Sequence, residues 1–192
     1  FEDSDATDIG GDQNNDRAQD SGAAYVFQRD GVWTQQAYIK ASNTTSADEF
    51  GCFISLAGDG NTLVIGAVGE DSGAVRVNGD RNDESVLDAG AAYILQRSGA
   101  TWTHREYVKA SNPNDHDAFA TGVALSGDGA YVYLVVAERA EARAAQVPRY
   151  VGESAYTEEI SSRNKVGDTQ DGRRLAVLDL KTGEARWIGV DG

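Results

Sequence analysis

Two acidic stretches hold side chains whose types and spacing suit a hard metal cation. In the first, oxygen-bearing residues fall at positions 1, 3, 5 and 9 of a loop, and the second stretch has the same spacing. The two sets are Asp12, Asn14, Asp16 and Asp20, and Asp80, Asn82, Glu84 and Asp88. Oxygen ligands at alternate positions of a tight loop can converge on Ca²⁺, which takes about six to eight of them. Both stretches are therefore predicted calcium loops, with a solvated acidic loop as the alternative.

The residue at the sixth position departs from the usual calcium loop. A chain that turns sharply around the ion commonly has glycine there, whereas the two stretches have Arg17 and Ser85. The stretches also concentrate charge, because residues 1–21 carry net −6 and residues 70–88 carry net −4 of the total of −14. Calcium would stabilise the fold by relieving repulsion among these crowded carboxylates.

Other side chains with reactive chemistry do not form a catalytic set. Asn114-Asp115-His116-Asp117 could bind a metal, although Pro113 and the Asn and Asp side chains favour a polar turn. His104 falls on a predicted strand, and Cys52 in an apolar strand is expected to be a buried thiol. The nearest match to the Gly-x-Ser-x-Gly elbow of serine hydrolases, Gly152-Glu153-Ser154-Ala155-Tyr156, lacks the last glycine. We therefore expect a protein without enzymatic activity.

An internal repeat positions these side chains. Residues 22–25 (Gly-Ala-Ala-Tyr) return as residues 90–93, and residues 40–43 (Lys-Ala-Ser-Asn) return as residues 109–112. The copies lie 68 or 69 residues apart. Further pairs at this spacing are Glu2-Asp3-Ser4 with Glu70-Asp71-Ser72, Trp33 with Trp102, Phe50 with Phe119, and Gly58-Asp59-Gly60 with Gly127-Asp128-Gly129. Self-similarity at a fixed period is the sequence signature of propellers and other repeat architectures.

Each period holds the signals of four short strands. Residues 50–56 and 62–68 are rich in apolar and β-branched side chains and are joined by a glycine turn. Residues 91–97 and 101–109 form a predicted hairpin with a three-residue loop. Alternation along the last strand predicts one shared face for Trp102, His104, Glu106 and Val108. Four antiparallel strands per period predict a β-propeller blade.

The predicted fold class is all-β, with about two and a half blades of four antiparallel strands. The chain would supply half a blade, then a whole blade, then a third blade that an excursion interrupts. These parts are residues 22–41; residues 50–109; and residues 119–125, 130–137, 174–180 and 184–190, with the excursion at 138–173. A closed propeller needs about four to eight blades. The piece is therefore expected to be incomplete, or to be completed by another chain at its open edges.

The excursion is expected to form an arm that wraps a neighbouring blade or a partner. Its first residues, 138–146, mix Ala, Glu and Arg, which favours a short helix. The rest has no clear hydrophobic period that would predict a further blade strand.

Composition excludes several classes of partner. The net charge of −14, from 31 acidic and 17 basic residues, disfavours nucleic acid and anionic membrane surfaces. The sequence has no run of about 18 apolar residues for a membrane helix, and its single cysteine excludes an internal disulfide. It has neither Met nor a signal segment, so we expect a mature piece or an excerpt of a longer protein.

Several runs in the repeats resemble the FG-GAP repeats of integrin-alpha-like propellers. They include Gly-Ala-Ala-Tyr-Val-Phe, Lys-Ala-Ser-Asn, Asp-Glu-Phe-Gly and Leu-Ala-Gly-Asp-Gly-Asn-Thr-Leu. The name motif is Phe50-Gly51 in one repeat and Phe119-Ala120 in the next. Over residues 1–129 the resemblance implies an extracellular or periplasmic, calcium-associated propeller domain without catalytic activity. The acidic loops are similar in spacing to integrin-type calcium loops.

The tail, residues 130–192, is similar instead to the N-terminal propeller of bacterial prolyl-oligopeptidase-like serine peptidases. Matching runs include Val-Pro-Arg-Tyr at residues 147–150 and Arg-Leu-Ala-Val-Leu-Asp at residues 174–179. In that family the propeller gates access to a separate hydrolase domain. The join falls at the turn Ser126-Gly127-Asp128-Gly129, which fits an excerpt, a natural fusion or an artificial splice.

Three hypotheses for function follow. The leading one is a non-catalytic binding or assembly module, extracellular, at the cell surface or periplasmic, that a protein partner or a second copy engages at the open blade edges. The second is a gating-propeller fragment of a serine peptidase, and the third is a structural subunit of a ring or fibre. Repeated aromatic side chains are expected to pack in the core, with a carbohydrate platform as the alternative. They are Tyr25, Tyr38, Tyr93, Tyr107, Trp33 and Trp102.

Overall fold

Short apolar and β-branched runs between glycine turns form twelve strands in the part of the chain that the structure describes. This computed structural model describes residues 2–138, 145–149, 158–162 and 172–188. The strands are β1 (Ala24–Asp30), β2 (Val32–Ile39), β3 (Phe53–Leu56), β4 (Thr62–Ala67), β5 (Ala91–Ser98), β6 (Thr101–Val108), β7 (Gly122–Leu125), β8 (Tyr131–Glu138), β9 (Ala145–Arg149), β10 (Glu158–Ser162), β11 (Gly172–Asp179) and β12 (Ala185–Ile188). No helix long and apolar enough to cross a membrane occurs in these residues.

The strands form propeller-type blades, which confirms the predicted fold class. The chain divides into one unit of Phe1–Ala137 with Arg173–Gly192 and a second unit of Glu138–Gly172. In the first unit, β1 and β2 form a pair that we call blade 1, and β3 to β6 form blade 2 in chain order. Blade 3 has the strand order β7, β8, β11, β12. In the second unit, β9 and β10 form an antiparallel pair.

The residues predicted to form a helix at the start of the excursion are strands where the structure describes them. Strand β8 continues to Glu138, and β9 begins at Ala145. Residues 139–144 lie outside the described residues. The helix prediction is therefore wrong at both ends. It used composition alone, whereas the buried Val132, Leu134 and Val136 of β8 favour pairing with β7 and β11.

The β5–β6 hairpin has a shorter loop than the sequence predicts. Ser98 pairs with Thr101, so the loop consists of two residues rather than three. Gly99 in this loop has a φ of 63°, which glycine adopts without the steric cost that a Cβ imposes.

A bulge in β6 overturns the predicted face of this strand. Ile94 pairs with Glu106 and the next residue, Leu95, pairs with His104, so Arg105 has no partner opposite. The extra residue shifts the alternation by one position. Trp102 therefore packs in one core cluster and Val108 in the other. The prediction that Trp102, His104, Glu106 and Val108 share one face is wrong.

Blade 1 repeats this bulge. Val26 pairs with Ala37 and Phe27 pairs with Gln35, so Gln36 has no partner opposite. Gln36 and Arg105 are equivalent positions of the sequence repeat, since each lies three residues after the repeated Trp-Thr motif begins. The structural period therefore follows the sequence period.

Two hydrophobic cores hold the three blades together. The first contains Ala24, Ala37 and Ile39 of blade 1 with Ile65, Tyr93, Leu95 and Trp102 of blade 2. The second contains Val64, Ile94 and Val108 of blade 2 with Val132, Leu134 and Leu178 of blade 3. We call the side of a blade that corresponds to Tyr93, Leu95 and Trp102 its front face, and the opposite side its back face. Each fully buried Leu or Ile side chain contributes about 1.5–3 kcal/mol.

Short edge segments cover one edge of blades 1 and 2. Ile9 forms an antiparallel bridge with Ile39 of β2, and Val77 forms the same bridge with Val108 of β6. The Lys40 N–H donates to the Asp8 carbonyl at 2.8 Å, and the Lys109 N–H donates to the Arg76 carbonyl at 2.8 Å. These segments protect the last strand of each blade from pairing with another chain.

Candidate functional site

The first acidic stretch brings two of its four predicted ligands together. Asp12 Oδ1 accepts hydrogen bonds from the backbone N–H and the side-chain amide of Asn14, at 3.0 and 3.1 Å. Asp16 is exposed. The Asp20 N–H donates to Asp3 Oδ1 at 2.8 Å, which ties the end of the stretch to its beginning.

The second acidic stretch has the same arrangement. Asp80 Oδ1 accepts from the Asn82 N–H at 3.0 Å, and the Asp88 N–H donates to Asp71 Oδ1 at 2.7 Å. Glu84 is exposed. Burial, and then the negative charges of Glu70, Asp71 and Asp83, raise the pKa of Glu84.

These contacts do not assemble a complete cation site. Within residues 2–138 and the shorter described ranges, no group of three or more His, Cys, Asp or Glu side chains is placed to hold a metal ion. The short Asp-to-Asn contacts are typical of turns that a polar side chain closes on its own backbone. The calcium loops therefore stay a prediction.

The second metal candidate forms a polar turn beside the second acidic stretch. Asp88 Oδ2 accepts a hydrogen bond from His116 Nδ1 at 2.7 Å. Asp115 Oδ1 accepts from the Leu87 N–H at 3.1 Å, and Asp117 Oδ2 accepts from the Asn114 N–H at 2.8 Å. The side chains of this turn thus hold the end of the acidic stretch in place.

A buried ionic cluster in blade 2 was not predicted from the sequence. Glu70 Oε2 accepts from Lys109 Nζ at 2.6 Å, and Glu70 Oε1 accepts from the Tyr107 hydroxyl at 2.5 Å. The Asn43 amide, which follows blade 1, also donates to Glu70 Oε1 at 3.0 Å, and its oxygen accepts from the Tyr93 hydroxyl at 2.7 Å. The cluster therefore connects blade 1 to blade 2.

Blade 1 holds the counterpart of this ionic cluster. Glu2 Oε2 accepts from Lys40 Nζ at 2.6 Å, and Glu2 Oε1 accepts from the Tyr38 hydroxyl at 2.5 Å. Burial raises the pKa of Glu2, but hydrogen bonds from Lys40, Tyr38 and Ser4 outweigh it, and the pKa lies below its ordinary value. The recurring Glu-Asp-Ser and Tyr-x-Lys motifs were the sequence signal for both clusters.

Burial shifts the proton affinities of the groups in blade 2 most strongly. Burial is the main reason why the pKa of Lys109 is lowered, and Glu70 opposes that shift. Burial, followed by the charge of Glu70, raises the pKa of Tyr107. Nearby, burial raises the pKa of Asp48 to about 7, although hydrogen bonds from Thr45 counteract it.

The remaining singled-out side chains have structural contacts. His104 Nε2 donates to the Lys40 carbonyl at 3.0 Å, and burial lowers the pKa of His104. Cys52 is only partly buried, which corrects the expectation of a buried thiol, and its Sγ lies 3.4 Å from the Gly66 carbonyl oxygen. The nearest match to a hydrolase elbow, residues 152–156, lies outside the described residues.

The front face of blade 1 exposes aromatic side chains that blade 2 buries. The exposed fractions of Tyr25, Phe27 and Trp33 are 43%, 54% and 67%. Their counterparts in blade 2 are Tyr93, Leu95 and Trp102, with exposed fractions of 0%, 0% and 3%. The prediction that these aromatic residues pack in the core therefore holds for Tyr38, Tyr93, Tyr107 and Trp102, and it is wrong for Tyr25 and Trp33.

Comparison with known families agrees with the blade architecture. The FG-GAP repeat family matches residues 33–95, which run from β2 of blade 1 into β5 of blade 2. Residues 33–95 are therefore similar to an FG-GAP repeat, and blades 1 to 3 have the antiparallel strand pairing of propeller-type blades. No curated protein matches the chain. The peptidase-like resemblance of the tail concerns residues beyond this match and stays a prediction.

Proposed function

We propose that this chain is a non-catalytic binding or assembly module that engages a protein partner through the front face of blade 1. The observation that carries the proposal is the exposure of Tyr25, Phe27 and Trp33 at positions that blade 2 buries. A contiguous exposed apolar patch is typical of a protein interaction site. Removing these side chains from water on binding would provide most of the driving force.

The interface between blades 1 and 2 supports self-association as the mode of assembly. There, the back face of blade 1, which contains Ile39, covers the front face of blade 2, which contains Tyr93. A second copy that applied the back face of its blade 3 to the front face of blade 1 would repeat this packing. Such a head-to-tail contact builds a ring if it closes and a filament if it does not.

An extracellular, cell-surface or periplasmic location and calcium dependence complete the proposal. Both are supported by the FG-GAP repeat and by the acidic stretches that contain Asp12 and Asp80. Calcium bound there would neutralise part of the net charge of −14 and so reduce repulsion between copies.

Light scattering of the purified chain tests the proposal. We expect a discrete mass above the 20.4 kDa of one chain, and a lower mass when EGTA removes calcium. The double variant Tyr25→Ser, Phe27→Ser should shift the mass towards the monomer, because it deletes the apolar patch.

The matched control is Leu56→Ser, which removes an exposed apolar side chain of blade 2, outside the front face of blade 1 and outside both acidic stretches. It should leave the mass unchanged. A wild-type chain that stays monomeric with and without calcium would contradict self-association.

A further inference from the structure

We propose that a cavity between blades 2 and 3 binds a small organic anion, in which an apolar group carries a carboxylate. The cavity has a volume of about 400 Å³, which lies in the range of pockets that hold small ligands. Both of its walls belong to four-stranded blades, so it does not result from an unpaired edge strand. The lining residues that carry the proposal are Arg76, Val108, Phe119, Leu134, Ala176 and Arg186.

The cavity exists because the front face of blade 3 has smaller side chains than the front face of blade 2. In blade 2, Tyr93 and Trp102 are buried against blade 1. In blade 3, β11 takes the place of β5 and contributes Ala176 and Leu178 to the second core cluster, while β12 contributes Ala185 to the cavity wall. Smaller side chains leave a space that their neighbours fill only in part. The interface between blades 2 and 3 therefore keeps an apolar cavity where the first interface is packed.

The repeat also changes the charge at this place. The Asp8 N–H donates to the Ala41 carbonyl at 3.2 Å, and the Arg76 N–H donates to the Ala110 carbonyl at 3.2 Å. Asp8 and Arg76 are thus equivalent positions of the edge segments that cover blades 1 and 2. The backbone hydrogen bonds hold Arg76 beside the cavity, so a base stands at the second interface where the first has an acid.

Arg186 of β12 adds a second positive charge to the lining. Neither the Arg76 nor the Arg186 guanidinium forms an ion pair or a hydrogen bond within the part of the chain that the structure describes. Lys109 also lines the cavity, but its Nζ is paired with Glu70 at 2.6 Å. None of the described lining residues is acidic, although the chain has 31 acidic residues.

An apolar wall beside two unpaired guanidinium groups suits a carboxylate on an apolar group. A guanidinium can donate two parallel hydrogen bonds to one carboxylate, which makes this pairing strong and directional. Phe119, Leu134 and Val108 would remove the apolar part of the ligand from water. The site lies apart from the front face of blade 1, so it goes beyond the proposed function and can fail independently of it.

Phenylbutyrate is the probe, and isothermal titration calorimetry with the full chain is the measurement. We expect saturable binding with one site per chain. Phenylbutyramide, which has the same shape without the charge, should bind at least about tenfold more weakly. Acetate should bind more weakly still, because it lacks the apolar part.

The carboxylate can come from a free acid or from the C-terminus of a peptide. The peptide Gly-Gly-Phe with a free C-terminus distinguishes the two sources. Tighter binding of this peptide than of phenylbutyrate would indicate a peptide C-terminus, and weaker binding would indicate a free acid.

Variants locate the bound probe. Arg76→Gln with Arg186→Gln should weaken phenylbutyrate binding at least about tenfold, and both positions are exposed, so the fold should persist. Arg29→Gln, at an exposed arginine of blade 1, is the matched control and should bind like the wild type. Ala176→Leu should abolish binding by filling the cavity, with circular dichroism as the check that the chain is folded.

The outcomes are separate from those for self-association, because the cavity lies within one chain. Binding that the double arginine variant weakens and Arg29→Gln leaves unchanged supports the proposal. Absence of saturable binding to the folded chain overturns it. Equal binding of phenylbutyrate and phenylbutyramide also overturns it, as does binding that the double arginine variant leaves unchanged. None of these results changes the expectation for the front face of blade 1.

Discussion

Among individual residues, the buried ionic groups that the repeat places between blades constrain the sequence most. Lys109 and Glu70 are both almost fully buried and form an ion pair. Tyr107 and Asn43 donate further hydrogen bonds to the Glu70 carboxylate. A buried ion pair adds little net stability over apolar packing, but breaking it leaves an uncompensated charge. These clusters therefore limit strictly which residues are tolerated at their positions.

The substitution Lys109→Met should destabilise the fold by about 3–5 kcal/mol, because Glu70 would remain buried without its cation. Urea unfolding followed by circular dichroism measures this change. The double variant Lys109→Met, Glu70→Gln should recover part of the loss, since the charge is then removed as well. Lys181→Met, at an exposed position, is the control and should change stability little. Equal effects at the two lysines would contradict the role of the cluster.

The substitution Asp48→Asn should remove a pH-dependent loss of stability. Because burial raises the folded-state pKa to about 7, the unfolded chain releases this proton first as the pH rises from about 4. The contribution of Asp48 to the free energy of unfolding therefore falls by up to about 4 kcal/mol between about pH 4 and pH 7. Above pH 7 it is constant. Unfolding free energies at pH 5 and pH 8 should differ less in the variant than in the wild type.

The exposed Asp59→Asn variant is the control for this pH dependence. Hydrogen bonds from Asn61 lower the pKa of Asp59, so its removal should not reduce the loss of stability above pH 5. A wild-type loss that Asp48→Asn leaves unchanged would assign the effect to another group.

At the level of strands and turns, close backbone contacts determine where the blades join. Gly22 has a φ of 78° and bridges to Phe50, and a Cβ on Gly22 would lie 2.1 Å from the Phe50 carbonyl oxygen. Gly90 repeats this arrangement against Phe119. Gly22 and Gly90, which precede β1 and β5, are thus required for two reasons. Their backbone has a positive φ, and a Cβ would collide with the neighbouring backbone.

The substitution Gly22→Ala should be more destabilising than Gly31→Ala, although both glycines have positive φ. Gly31 has a φ of 72°, and a Cβ added to it would meet nothing within 4 Å, so Gly31→Ala measures the conformational cost alone. The steric clash at Gly22 should add about 1–3 kcal/mol. Thermal unfolding of the two variants measures the difference, and equal losses would mean that the backbone at Phe50 moves aside.

For the molecule as a whole, the described strands leave one blade unfinished and one front face uncovered. The exposed aromatic residues of blade 1 form the surface that the proposed partner would cover. The net charge of −14 opposes close approach of copies at low salt. Self-association measured by light scattering should therefore strengthen with calcium or with added salt, if the proposed assembly is correct.

The blade architecture could be predicted from the amino-acid sequence. The repeat and the apolar runs between glycines predicted the strands of blades 1 and 2, because local propensity and burial agree there. The pairing of β8 with β11 across the excursion agrees with the expectation of four strands per blade, not with the spacing of the repeat.

Which faces are buried and which charges are paired depends on the tertiary structure. The bulge at Arg105 shifts the inward and outward alternation of β6 by one residue. The local sequence does not show that Arg105 has no residue opposite it on β5. In the sequence, Glu70 is one more acid in a charged stretch, and only folding brings Lys109 to it from 39 residues away. Tyr25 and Tyr93 have similar local sequences, and they differ in exposure because burial depends on which strand and which blade lie beside them.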